Sequence, residues 1–255
     1  MVCVAAVVAP AASASAEVSR GVTIPAFYGL PADLPSAPGS VIRSEPLTMA
    51  MAWAGTATRL MYTSTDSNGE PVVVTGAYIE PSAAWTGNGP RPLVAVAPGT
   101  MGQGDQCSAS MGLEHPLTLN GRTVSVGYED LVITRLLSSG IAVVLTDYAG
   151  LGATDRLHTY VNRLDGGHAV LDAVRAARAL PGTSVTAGSP AALYGYSQGG
   201  GATASAAELP DLGKGLLTNH LAPQAADQTA AVSWLTDRLK GTPATSTYAE
   251  LPTQP

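Results

Sequence analysis

An α/β fold with a mostly parallel central sheet flanked by helices is the architecture this sequence predicts, and three observations carry the prediction. Short, continuous apolar runs recur at Leu93 to Ala97 (LVAVA), Ile141 to Thr146 (IAVVLT) and Ala191 to Tyr194 (AALY), as strands buried on both faces require. Helical patterns alternate with them. Strand, helix, strand, helix is the order that builds parallel pairing through crossovers. With 255 residues the chain has room for one such domain and its core, but not for two of comparable size.

The helices follow in order. Tyr128 to Ser138 places Leu136 and Leu137 inward, with Leu131, Arg135 and Ser138 marking the turns. Gly167 to Leu180 is amphipathic, with Val170, Leu171, Val174 and Ala177 on one face and Asp172, Arg175 and Arg178 on the other. Gly199 to Leu209 is an Ala-rich helix, and Val232 to Leu239 (VSWLTDRL) makes a last amphipathic one. Ahead of the alternating region, β-rich runs at Ala57 to Thr65 and Pro71 to Glu80 flank Asp66-Ser67-Asn68-Gly69, which predicts a hairpin.

The ends are simpler. Residues 1–16 read as a signal peptide: an apolar, uncharged run leads to Ala14-Ser15-Ala16, an A-x-A cleavage signature, although a positively charged start is absent. Residues 17–40, rich in Pro, Ala, Ser and Gly, read as an extended arm. The domain then spans 41–240, and 241–255 is a polar, Pro-rich tail. The expected localisation is therefore extracellular.

Composition narrows the function. A formal charge of -6 and scattered Lys and Arg argue against nucleic-acid binding, which requires a basic face. No stretch is apolar enough to cross a bilayer. There is no Gly-rich phosphate loop, no Cys and His zinc spacing and no HExxH, so neither a metal nor an organic cofactor is expected. Cys3 lies in the signal, which leaves Cys107 alone in the mature chain, either as a thiol whose partner is missing or as a simple buried residue.

The chemistry is carried by Gly195-Tyr196-Ser197-Gln198-Gly199. In a G-x-S-x-G motif the serine occupies a strained turn from strand to helix, and the glycines allow neighbouring backbone to approach closely. Context makes the motif specific, since an apolar strand precedes it and GGATASAAEL opens a helix after it. Ser197 is thus the expected nucleophile of an α/β-hydrolase. The positive end of the following helix stabilises an oxyanion, with the Gln198 N–H as first donor. A second donor is expected from the turn after Ala97, at Thr100 or, next, Gly99. The base should follow the nucleophile, and His220, read as lying in a loop before the last helix, is the histidine that does. His115 reads as a solvated loop residue, and His158 and His168 as hydrogen-bonded structural residues.

At IRSEPL (42–47), RLMYTSTDSNGEPVVVTG (59–76), RPLVAVAPGTMGQGDQC (91–107), GIAVVLTDYAGLG (140–152), HTYVNR (158–163), GHAVLDAVRAA (167–177) and YGYSQGGGA (194–202), the chain resembles the secretory lipases, the Candida lipase A-like group. The resemblance implies a triacylglycerol lipase or carboxylesterase acting on a small ester or lipid. It also implies a helical cap and a Ser, His, Asp triad, with Ser197 as nucleophile and NHLAP supporting His220. Between Leu209 and Leu216 the family would place the cap, further strands and the catalytic Asp, whereas this chain has six residues there, so an internal truncation is expected. The lost segment would also account for the solitary Cys107. Asp211 and Glu208 fall at the wrong end of the post-elbow helix, and Asp147 matches a structural position, so none is a good triad acid. The alternatives to an active esterase are an acyl-binding protein that has lost turnover and a truncated chain with no stable function.

Overall fold

A computed structural model describes residues 17–19, 22–115, 117–120, 123–127, 129–153, 156–209, 217–220 and 225–243. The expected signal segment, the tail beyond 243 and the expected truncation at 210–215, with Asp211, lie outside the described residues. In chain order the elements are β1 (Glu17–Ser19), β2 (Val22–Ile24), β3 (Val41–Leu47), β4 (Gly55–Thr65), β5 (Pro71–Pro81), β6 (Leu93–Ala97), α1 (Ala109–Gly112), β7 (Leu117–Asn120) and β8 (Thr123–Val126). After these come α2 (Asp130–Ser138), β9 (Ala142–Thr146), α3 (Arg163–Ala179), β10 (Ala191–Gly195), α4 (Gln198–Glu208), β11 (Leu217–His220) and α5 (Ala225–Leu239).

Seven strands form one sheet in the order β11-β10-β6-β9-β5-β4-β3. The four from β11 to β9 pair in parallel, and β9-β5, β5-β4 and β4-β3 pair antiparallel. Parallel pairing thus holds for the half built from the apolar runs, and the expected hairpin supplies the antiparallel half, with Thr65 opposite Pro71. Every residue of β6, β9 and β10 is buried, as their unbroken apolar sequences required.

Helices cover both faces. On one, Val170, Val174 and Ala177 of α3 and Ala202 and Ala206 of α4 pack over Leu93, Val144 and Leu193. On the other, Val132, Ile133, Leu136 and Leu137 of α2 and Val232 and Leu235 of α5 pack over Val94, Val143 and Tyr194. Burying each of the Val, Leu and Ile side chains stabilises the fold by roughly 1.5–3 kcal/mol. The chain therefore leaves β6 toward one face and β10 toward the other. In an open α/β sheet the crevice for a ligand forms where neighbouring strands send their chains to opposite faces.

Four expectations need correction. The arm is not merely extended: β1 and β2 pair antiparallel, and Ile24, Phe27 and Tyr28 bury themselves against Met61 and Val73. Next, α3 begins at Arg163, a turn before Gly167, because the Asn162 side chain accepts the N–H groups of Leu164 and Asp165 and caps it there. Asp172 is not on an outer face. It is buried beneath β4, where it accepts hydrogen bonds from Ser64 and Arg175. Finally, His220 ends a strand rather than sitting in a loop, because β11 adds to β10 with Gly195 opposite His220.

Candidate active site

Register brings the ends of three parallel strands level, since Gly195 lies opposite Ala97 of β6 on one side and His220 of β11 on the other. Ser197 follows at φ 54°, ψ −123°, an unfavourable conformation for a residue with a Cβ, and it is exposed between β10 and α4. The flanking glycines are dictated by contact. A Cβ at Gly199 would sit 1.9 Å from the Ala97 carbonyl oxygen, and one at Gly195 would sit 2.4 Å from that of Gly199. Tyr196 is partly exposed beside the serine, and Gln198 opens α4 with its N–H among the unpaired donors of the first turn.

The Gln198 side chain turns inward and is held. Its Nε2 lies 2.7 Å from His158 Nε2, and His158 Nδ1 lies 2.9 Å from the Ala149 carbonyl oxygen. A carbonyl can only accept, so Nδ1 carries the proton and Nε2 accepts from the Gln198 amide. Tyr148 stacks on the imidazole at 5.9 Å, and Tyr160 meets it edge-on at 6.5 Å.

These rings also reach the opposite wall. Tyr148 Oη donates to the Pro98 carbonyl at 2.7 Å, and Thr100 Oγ1 donates to Tyr160 Oη at 3.2 Å. The Gly99 N–H donates to Glu129 Oε1 at 3.0 Å. Gly99 is therefore not placed as an oxyanion donor, because its N–H is directed into the protein. The turn 98–100 is tied at each of its three residues, and Thr100 is the exposed one. Among the described residues, the non-glycine residues with positive φ are Tyr148, Val161 and Ser197. Tyr148 and Val161 line a small pocket with Ala202 and with Gln198, the residue next to Ser197.

Burial perturbs the acids beneath it. Desolvation, followed by the like charge of Asp130, pushes the Glu129 carboxyl up to about 7, against the lowering effect of the Gly99 N–H. Desolvation also raises Asp130 to about 6. The Tyr194 hydroxyl is pushed up to about 12 by burial and then by the Glu129 carboxylate.

The other expected residues are accounted for. Asp147 Oδ1 accepts the Ser110 N–H, and its Oδ2 accepts the hydroxyls of Ser110 and Thr75. It is wholly buried, with its oxygens engaged by these donors. Glu208 ends α4, about 16 Å along the helix from its start. His168 approaches the Thr65 carbonyl oxygen, and His115 is exposed. Cys107 is a buried free thiol. Among the described residues, no cluster of His, Cys, Asp or Glu is arranged to hold a metal ion, and no helix is long and apolar enough to cross a membrane. Sequence reasoning missed Glu129 and Tyr148, because no local pattern marks a residue whose partner lies on another strand's loop.

A serine on a left-handed strand-to-helix turn, at the C-terminal edge of a sheet clothed by helices on both faces, is the arrangement of the α/β-hydrolase fold. A model of the family described as "Secretory lipase" matches residues 113–212. The chain is 30% identical over 187 residues to a probable inactive lipase of Mycobacterium tuberculosis, covering 71% of this chain and 40% of that protein. It is 30% identical to a trichothecene C-3 esterase of Fusarium sporotrichioides, covering 73% of this chain and 42% of that protein. It is 32% identical to Lipase 10 of Candida albicans, covering 69% of this chain and 34% of that protein. The fold is similar to that of Candida antarctica lipase A in its closed state, with a TM-score of 0.64, 23% identity, and coverage of 76% of this chain and 44% of that one. It is also similar to the rice cell wall degrading esterase LipA of Xanthomonas oryzae, with a TM-score of 0.55, 25% identity, and coverage of 68% and 46%. The chain is thus similar to the secretory lipases over residues 113–212 and to lipase A-like folds. It spans about 40% of the length of the curated relatives it matches.

Proposed function

We propose that this protein is a secreted serine hydrolase that cleaves carboxylic esters through an acyl-enzyme. The observation that carries the proposal is Ser197, exposed on its strained turn at the positive end of α4. Ser197 Oγ attacks the ester carbonyl while His220 takes its proton. The oxyanion is held by the N–H groups of Gln198 and Thr100, and the alcohol departs with the proton from His220. Water then cleaves the acyl-enzyme by the same steps in reverse. The register of His220 beside Gly195 supports its role as base. Exposed apolar side chains at Leu157, Tyr160 and Val161, on the segment tied to Thr100 and Gln198, favour an apolar ester. Export rests on the A-x-A signature and on the family's secretory character.

A second reading, an acyl-binding protein without turnover, is favoured by one relative bearing the name of a probable inactive lipase and by the commitment of Asp147 elsewhere. The triad acid orients the histidine, and its loss typically costs about 10⁴-fold in rate. Hydrolysis of p-nitrophenyl butyrate by the wild type, Ser197→Ala and His220→Ala separates the readings. Turnover that both substitutions abolish supports the enzyme, and a wild type no faster than Ser197→Ala supports the binding protein.

A further inference from the structure

Glu129 has no place in the reaction just described, yet it is buried directly behind the turn that would hold the oxyanion. It precedes α2, its main-chain carbonyl accepts the Ile133 N–H, and its carboxyl accepts the Gly99 N–H at 3.0 Å. Only 3% of its surface is exposed. A carboxyl that deep is retained at the expense of desolvation. In return it makes one hydrogen bond, because Oε2, like the buried Tyr194 Oη near it, has no partner among the described residues. An apolar side chain of equal size would leave no oxygen stranded, but it would leave the buried Gly99 N–H without its acceptor. What a carboxyl does here that such a side chain cannot is fix the direction of the Gly99 N–H. The orientation of that peptide sets where the next one, at Thr100, points.

Glu129 also adjoins the strand that delivers the nucleophile, since its charge is felt at Tyr194, the residue before Gly195. The other groups facing it are Asp130 on its own helix and Gly99 on the turn, with Tyr196 and Arg135 acting on Tyr194.

We propose that Glu129 is a positioning residue of this site: by accepting the Gly99 N–H it orients the 98–100 turn so that the Thr100 N–H faces the oxyanion formed at Ser197. The inference rests on the esterase reading, but its structural half is measurable without it. Glu129→Gln keeps an acceptor oxygen at nearly the same place, and Glu129→Met fills the same space without one. Two measurements are made on the full chain of each variant, with the thermal midpoint as a check on folding. They are hydrogen exchange of the Gly99 and Thr100 amides, and the rate of Ser197 phosphonylation by a fluorophosphonate.

The expected result is Gly99 protection and labelling retained in Glu129→Gln. In Glu129→Met, both are expected to be lost, with labelling slowed at least about tenfold, a fraction of the 10²–10³ that removing a whole oxyanion donor costs. If the wild type does not label but Gly99 protection still follows the Gln/Met pattern, the hydrolase reading fails and, with it, the oxyanion role, while the orientation of the 98–100 turn by Glu129 stands. If a folded Glu129→Met variant protects Gly99 and labels within about threefold of wild type, the proposal is overturned.

Discussion

Gln198 Nε2 donates to His158 Nε2 across 2.7 Å, and this bond joins the residue after Ser197 to the segment that carries Tyr160, and through Tyr160 to Thr100. Gln198 and Thr100 are 98 residues apart in sequence, yet both wall residues of the site are set by one aromatic cluster of Tyr148, His158 and Tyr160. Removing the imidazole strands a buried amide. His158→Ala should lower stability by about 1–3 kcal/mol and slow ester hydrolysis more than it raises KM. Thermal melting and steady-state kinetics on p-nitrophenyl butyrate check both parts.

The elbow stores strain at Ser197, and glycine tolerates φ 54°, ψ −123° where serine does not. Ser197→Gly should therefore melt higher than wild type, by the equivalent of about 1–2 kcal/mol, while losing all hydrolysis. Calorimetry alongside the esterase assay reads the exchange of stability for activity.

Two glycines in one helix should behave oppositely. Gly199→Ala forces a Cβ to 1.9 Å from the Ala97 carbonyl oxygen and should separate α4 from β6, destabilising the chain by more than about 3 kcal/mol. At Gly201 the nearest atom to an added Cβ is Arg163 Cγ at 3.8 Å, so Gly201→Ala should gain up to about 1 kcal/mol of helix stability. Chemical denaturation of the two variants gives the comparison.

Stability should fall with pH across the neutral range. Glu129 is raised from 4.5 to about 7 and Asp130 from 3.8 to about 6, so the folded chain binds protons that the unfolded chain has released. A carboxyl raised by folding stabilises fully below its unfolded value, and that contribution is lost as pH climbs through the folded one. The thermal midpoint should thus decline between about pH 4 and pH 7 from these two groups, and Glu129→Gln should flatten the upper part of the slope.

The sequence made β6, β9 and β10 legible because a strand buried on both faces must be apolar throughout. The elbow was legible because Gly195, Ser197 and Gly199 each answer a local steric demand. Asp172 and Glu129 were not legible, because a charge looks solvent-facing in a local pattern, and only the packing of α3 on β4, or of α2 behind the 98–100 turn, supplies the buried partner. His220 was misplaced in a loop, since LTNH carries no strand signal until β10 offers it an edge.

The most direct test of the account is labelling of the purified chain with a fluorophosphonate, followed by mass-spectrometric mapping of the adduct. The account predicts a single adduct on Ser197, absent from Ser197→Ala and suppressed by prior incubation with an ester. A cooperatively folded protein that takes no label at Ser197 would contradict it.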